Sequence, residues 1–160
     1  MKVLVIGQGG REHAMIRALK LSPSVSEVHA FPGSDGIAND ALCHAWDGES
    51  VEPIAAFVKN THIGLVVIGP EVPLANGLAD ELRRRDILVV GPNKKQAQLE
   101  SSKIFAKEFM LEAGVPTAKY LEVKNLDGLL AAAEKFRAPY IFKCDGLAAG
   151  KGVFVCKDMA

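Results

Sequence analysis

Lys2-Val3-Leu4-Val5-Ile6-Gly7-Gln8-Gly9-Gly10-Arg11-Glu12-His13 sets the architecture. A short apolar run meets glycines and then charge, which is a strand turning into a helix rather than the longer apolar core of a secretion signal. The pattern recurs three times. Residues 27–31, 64–68 and 87–90 are further apolar runs, each ending in glycine or Pro-Gly: Pro32-Gly33-Ser34-Asp35-Gly36, Gly69-Pro70-Glu71 and Gly91-Pro92-Asn93. Helical patterns fill the intervals at 11–21, 51–60 and 74–85. Strand and helix in alternation predict right-handed βαβ crossovers and a parallel sheet of the α/β class. The runs are continuously apolar, so helices are expected on both faces. Parallel strands carry all four glycine-bearing tips to one edge, where open α/β sheets bind ligands.

Composition narrows the function classes. Nineteen Lys+Arg balance nineteen Asp+Glu, which removes the electrostatic case for nucleic acid. No apolar run approaches the roughly 20 residues of a spanning helix, so no membrane partner is expected. Three cysteines, Cys43, Cys144 and Cys156, form neither an even disulfide set nor a Cys-x-x-Cys pair, which fits a reducing cytoplasm. The four histidines show no ligand spacing, and none is assigned to a metal.

The character changes near residue 100, where a domain boundary is expected between residues 1–100 and 101–160. Ser101 or Ser102 can cap a helix that Gly114 and Pro116 end. A short strand is expected around 120–123, then a helix begun by Asn125 with Leu126, Leu129, Leu130 and Ala133 on one face. Two further strands, residues 140–144 and 153–156, enclose Asp145-Gly146-Leu147-Ala148-Ala149-Gly150-Lys151-Gly152. Hairpin loops normally hold two to five residues. A longer, glycine-rich loop flanked by Lys143 and Lys151 has backbone N–H groups open to a polyphosphate; the plainer reading is a surface hairpin with solvated lysines. The second segment stops directly after a strand and is short for an independent core, so the chain reads as the front of something longer.

Each edge motif admits two readings. Gly7-Gln8-Gly9-Gly10 lies where a dinucleotide fingerprint would sit, but Glu12 replaces its third glycine and no acidic residue ends the second strand, which weakens a nicotinamide or flavin reading. The free N–H groups of Gly9 and Gly10 with Arg11 could still hold a phosphate, or merely make a tight turn. Glu71 could accept from a ribose hydroxyl or an amine, or serve as an acid at a helix start. Lys103 is an odd cation for the positive end of a helix.

Taken together these motifs resemble one family. Gly9-Gly10-Arg11-Glu12-His13, Gly69-Pro70-Glu71-Val72-Pro73-Leu74, Leu99-Glu100-Ser101-Ser102-Lys103, Gly114-Val115-Pro116-Thr117-Ala118 and residues 145–153 match, in order, the glycinamide ribonucleotide synthetases of the ATP-grasp superfamily. Ser34-Asp35-Gly36-Ile37 departs from the family's Asn-Ala-Gly-Thr, and Cys144 replaces a usual alanine.

The resemblance implies a Rossmann-like (pre-ATP-grasp) domain followed by the start of an ATP-grasp domain. It also implies ATP-dependent ligation of phosphoribosylamine and glycine in purine biosynthesis. Gly9, Gly10, Arg11, Pro32, Gly33 and Glu71 would face phosphoribosylamine, while Lys103, Lys143, Asp145, Gly146, Gly150, Lys151 and Gly152 would face ATP. The carboxylates for Mg²⁺ are expected outside these 160 residues. The resemblance therefore implies a fragment inactive alone and a monomer when full length. Other readings are a stand-alone nucleotide-binding module and a ligase for a different amine.

Overall fold

The computed structural model describes residues 1–48 and 50–158, and the chain divides after Ala97 into two units. In the first, β1 (Lys2–Gly7) is central. It pairs in parallel with β2 (Glu27–Pro32) on one side and β4 (Ile63–Ile68) on the other. The short strands β3 (Leu42–Cys43) and β5 (Val89–Val90) close the flanks, giving the order β3-β2-β1-β4-β5. The chain therefore departs from β1 in both directions, and the reversal opens a crevice between the carboxyl ends of β1 and β4.

Alternation along β1 builds two cores. Val3 and Val5 face α1 (Gly10–Lys20) and a 3₁₀ turn, Ile37–Asn39, through Ile16 and Ile37. Leu4 and Ile6 face α2 (Glu52–Thr61), α3 (Glu71–Asn76) and α4 (Leu78–Arg83) through Ile54, Leu74, Leu78 and Leu82. All four β1 side chains have no exposed surface. Each such burial contributes about 1.5–3 kcal/mol, which is why the sheet's middle strand is continuously apolar.

Two expectations need correction. The helix expected at 74–85 begins at Glu71 and breaks at Gly77, whose φ of 92° ends α3 by turning its N–H to Leu74 and Pro73 carbonyls. No strand forms at 120–123. β6 (Tyr140–Lys143) and β7 (Val153–Cys156) pair antiparallel as a two-stranded sheet that this segment does not join. Lys107 instead fastens the neighbouring backbone, its ammonium donating to Thr117 Oγ1 and the Ala118 carbonyl and lying 5.5 Å from the Tyr120 ring centroid.

Also in this second unit, α6 (Lys103–Glu112) is capped by Ser102 and α7 (Leu126–Ala133) by Asn125. An unforeseen helix, α5 (Lys94–Ser101), precedes them; it begins in the first unit, whose core takes its Ala97. Its hydrophobic content is low, so periodicity did not mark it.

A polar insertion lies in the α2-side core. His29, 3% exposed, meets His44 Nε2 through Nδ1 at 2.9 Å, and both rings pack on Phe57. Burial, and secondarily the neighbouring His29, push the His44 pKa below its usual value of 6.5. The folded state thus prefers neutral His44: its contribution is complete above that value and is lost as pH falls below it. Urea unfolding midpoints should decline between pH 7.5 and 5.5, and His44→Phe should flatten that decline. Ile6→Ala, at the centre of the sheet, should cost about 2–5 kcal/mol in the same assay.

Candidate functional site

The register brings the first unit's glycine tips side by side. Gly7 pairs with Pro32, Gly33 N donates to the Gly7 carbonyl at 3.1 Å, and Gly69 N donates to Ile6 O at 3.1 Å. α1 then starts at Gly10 with its first N–H groups at this edge. Gly10 is exposed, and a Cβ there would meet nothing within 4 Å, so its backbone is open to a ligand. Gly33 is different: it is buried, its φ is 76°, and a Cβ would collide with Cys43 Sγ. Packing alone accounts for glycine there.

Arg11 and Glu71, nominated separately from the sequence, are brought together. Arg11 Nη2 donates to Glu71 Oε2 at 2.9 Å across the β1 and β4 tips. The Glu71 carboxyl is held below the usual carboxylate range by its own backbone N–H at the start of α3, and next by the Arg11 hydrogen bond. A cation and an acceptor thus stand together at the crevice, a pairing that suits a ligand carrying both phosphate and donor groups.

Glu12 is the residue that sequence reasoning passed over as a missing glycine. It is 3% exposed. Its Oε2 accepts the Gly9 N–H at 2.8 Å, the return half of a capping box. The carboxylate occupies space that three glycines vacate: a Cβ on Gly7 or Gly69 would overlap it, and one on Gly9 would come within 2.9 Å of Oε2. The signal was present as a glycine followed three residues later by glutamate at a helix start.

Behind the edge, Asp40 accepts from Lys20 Nζ at 2.8 Å and lies 2.9 Å from His13 Nε2, tying the 3₁₀ turn to α1. The Lys20 hydrogen bond first, and then His13, lower the Asp40 pKa to about 2. The departing segment Ser34-Asp35-Gly36-Ile37 leads into that turn and buries Ile37 completely.

The second unit holds its own cluster. Asp145 Oδ1 accepts the backbone N–H of Lys103 at 2.6 Å and of Ile104 at 3.2 Å, and Ser102 Oγ contacts both carboxylate oxygens. Lys103 Nζ donates to the Gly146 carbonyl at 2.9 Å. The cation at the helix start is therefore accommodated: Asp145 answers the helix N-terminus, and the ammonium turns to a loop carbonyl. Burial pushes the Asp145 carboxyl up, but hydrogen bonds from Ile104, Lys103, Ser102 and Gly146 outweigh it and hold it below its usual 3.8.

Beyond Asp145 the loop is open. Gly146 and Gly150 adopt φ of 100° and 79°, a Cβ on either would meet nothing within 4 Å, and Lys143 and Lys151 are exposed at the loop's sides. Gly152 is buried against Ala148 and Cys144 and serves packing. Among the described residues no group of three or more His, Cys, Asp or Glu side chains could hold a metal ion, and no helix is long and apolar enough to cross a membrane.

Two family models divide the chain between them. Phosphoribosylglycinamide synthetase, N domain, matches residues 1–100, and phosphoribosylglycinamide synthetase, ATP-grasp (A) domain, matches residues 101–160. The chain belongs to the phosphoribosylglycinamide synthetase family. It is similar to phosphoribosylamine--glycine ligase of Leifsonia xyli, 49% identical over 161 residues that span all of this chain and 39% of the relative. The Streptomyces coelicolor protein of the same name is 48% identical over 159 residues, 99% of this chain and 38% of the relative. The chain thus spans about two fifths of the length of these curated relatives.

The solved phosphoribosylamine--glycine ligase of Thermotoga maritima is 32% identical with a TM-score of 0.75, covering 99% of this chain and 36% of that one. N5-carboxyaminoimidazole ribonucleotide synthetase from the same organism, at 20% identity and a TM-score of 0.73 over 99% of this chain and 41% of that one, shares the fold.

Asp145→Ala removes the acceptor at the start of α6. It should destabilise the second unit by about 0.5–2 kcal/mol, the scale of a lost helix cap, with faster hydrogen exchange at residues 103–105. Because the folded pKa is the lower one, this contribution is complete above pH 3.8 and disappears as pH falls through the folded value.

Proposed function

We propose that this chain supplies the sugar-phosphate edge and the first nucleotide-facing elements of an ATP-dependent ligase that joins phosphoribosylamine to glycine. The observation that carries the proposal is the Arg11–Glu71 pair at 2.9 Å, set in the β1/β4 crevice beside the open N-terminus of α1. Phosphate would meet Arg11 and the exposed N–H of Gly10, the Gly9 N–H being held by Glu12 Oε2, and Glu71, released from Arg11, would accept a ribose hydroxyl. Pro32 and Gly33 would wall the β2 side.

In the second unit, Lys143, Lys151 and the backbone at Gly146 and Gly150 would face the phosphates of ATP, with Lys103 and Asp145 fixing the loop's first turn and Gly152 its last. The exposed lysines and open backbone of this loop fit phosphate, and Mg²⁺ would be held by carboxylates in the part of the ligase that this chain does not span. ATP supplies the driving force by activating the glycine carboxylate, and the protein's work is to align the amine with it and neutralise phosphate charge. The three free cysteines, two of them exposed, fit a reducing cytoplasm.

A titration with ribose 5-phosphate should shift amide resonances at Gly9, Gly10 and Glu71 before those near residue 150. Arg11→Ala should weaken that binding by about 1.5–3 kcal/mol, the scale of hydrogen bonds to a charged group; unchanged affinity would remove Arg11 from the site. In the full-length ligase, Gly150→Val places a branched side chain at a φ of 79° on the phosphate-facing loop. It should raise KM for ATP and leave KM for glycine unchanged, and equal effects on both would point to misfolding.

A further inference from the structure

The capping box uses only one of Glu12's oxygens. Oε2 holds the Gly9 N–H, while Oε1 is buried without a hydrogen-bond partner among the described residues. Arg11 Nε lies 3.9 Å from Oε1, beyond hydrogen-bond distance. A carboxylate oxygen removed from water without a donor is costly, and native interiors rarely leave one so. This one is placed over Gly69, at the tip of β4, in the crevice where the strand order reverses. The site is therefore a helix N-terminus that would favour an anion, with an unanswered acceptor buried beside it.

We propose that Glu12 Oε1 holds an N–H of the ligand's amine. The inference rests on reading this edge as the phosphoribosylamine site, and it adds a residue with a defined task. Of that ligand's groups, only the amine is a donor able to carry positive charge, so it answers a buried carboxylate best. The ribose hydroxyls both donate and accept, and the more exposed Glu71 serves them. Arg11, whose side chain is 65% exposed, can swing toward the phosphate and open the approach to Oε1. Held through one N–H, a neutral amine keeps its lone pair free to meet an activated carboxylate. Glu12 is thus a group that both selects amine over its absence and orients it.

The test uses two stable cyclopentane analogues of the sugar phosphate, one with the amine and one with hydrogen in its place, titrated calorimetrically into the 160-residue chain. Wild type should bind the amine compound about ten- to a hundredfold more tightly, the range of one hydrogen bond to a charged group. Glu12→Gln should bring the two affinities together. A wild-type preference that survives in E12Q overturns the proposal, as does equal affinity of wild type for both compounds. If E12Q does not fold, the Gly9 amide resonance of wild type decides. It reports on Glu12 through Oε2, and it should move differently with the two compounds; identical movement overturns the proposal. Binding of neither compound by wild type would instead refute the sugar-phosphate reading of the edge, and this inference with it.

Discussion

Everything in the first unit depends on β1 being paired on both sides. A strand with parallel neighbours at each edge has no solvent-facing backbone, so its residues must be apolar on both faces, and helices must cover both. Val3 to Ile6 meet that demand with complete burial. The same constraint decides where chemistry can occur. Side chains along the strand are committed to packing, and only at its carboxyl end, where Gly7 releases the chain, can backbone N–H groups and polar side chains meet a ligand.

The two units differ in how they hold their polar elements. At the sheet edge, polar groups rest on a deep apolar foundation, and the Arg11–Glu71 pair spans two strands whose spacing the core fixes. In the second unit, side chains such as Phe109, Leu126, Ile141, Phe154 and Val155 remain largely exposed, and Ala133 is its one buried hydrophobic residue among those described. There Asp145 does the organising. One carboxylate gathers Ser102, Lys103 and Ile104 from more than forty positions earlier in the chain, so the loop's start is held by hydrogen bonds where little packing is available.

Much of this was legible in the residues. Four apolar runs ending in glycine announced a parallel sheet, because period and punctuation are local signals. Ser101 or Ser102, of which Ser102 is the cap, and Asn125 announced their helices. The failures are equally physical. Leu121 and Val123 have strand-like composition, but a strand exists only with a partner, and partners are distant in sequence. Gly77 lies inside the helical pattern at 74–85, and only its left-handed conformation shows that it divides two helices. The site was legible residue by residue but not in its pairings: Arg11 and Glu71 are 60 positions apart. Glu12 was read as the absence of a glycine when it is the presence of a carboxylate.

The Glu12 carboxylate limits how such an edge could be altered. Gly7, Gly9 and Gly69 lack side chains around one carboxylate, so the four positions form a unit in which each permits the others. Restoring the dinucleotide fingerprint by exchanging Glu12 for glycine would not yield a cofactor site. It would leave a hollow ringed by glycines, with the Gly9 N–H unanswered and the turn free to collapse. Conversely, a side chain at Gly7 or Gly69 would overlap the carboxylate, and one at Gly9 would press on Oε2. Passage between this edge and a dinucleotide-binding one therefore requires concerted replacement, which makes the Glu12 arrangement a barrier to functional drift.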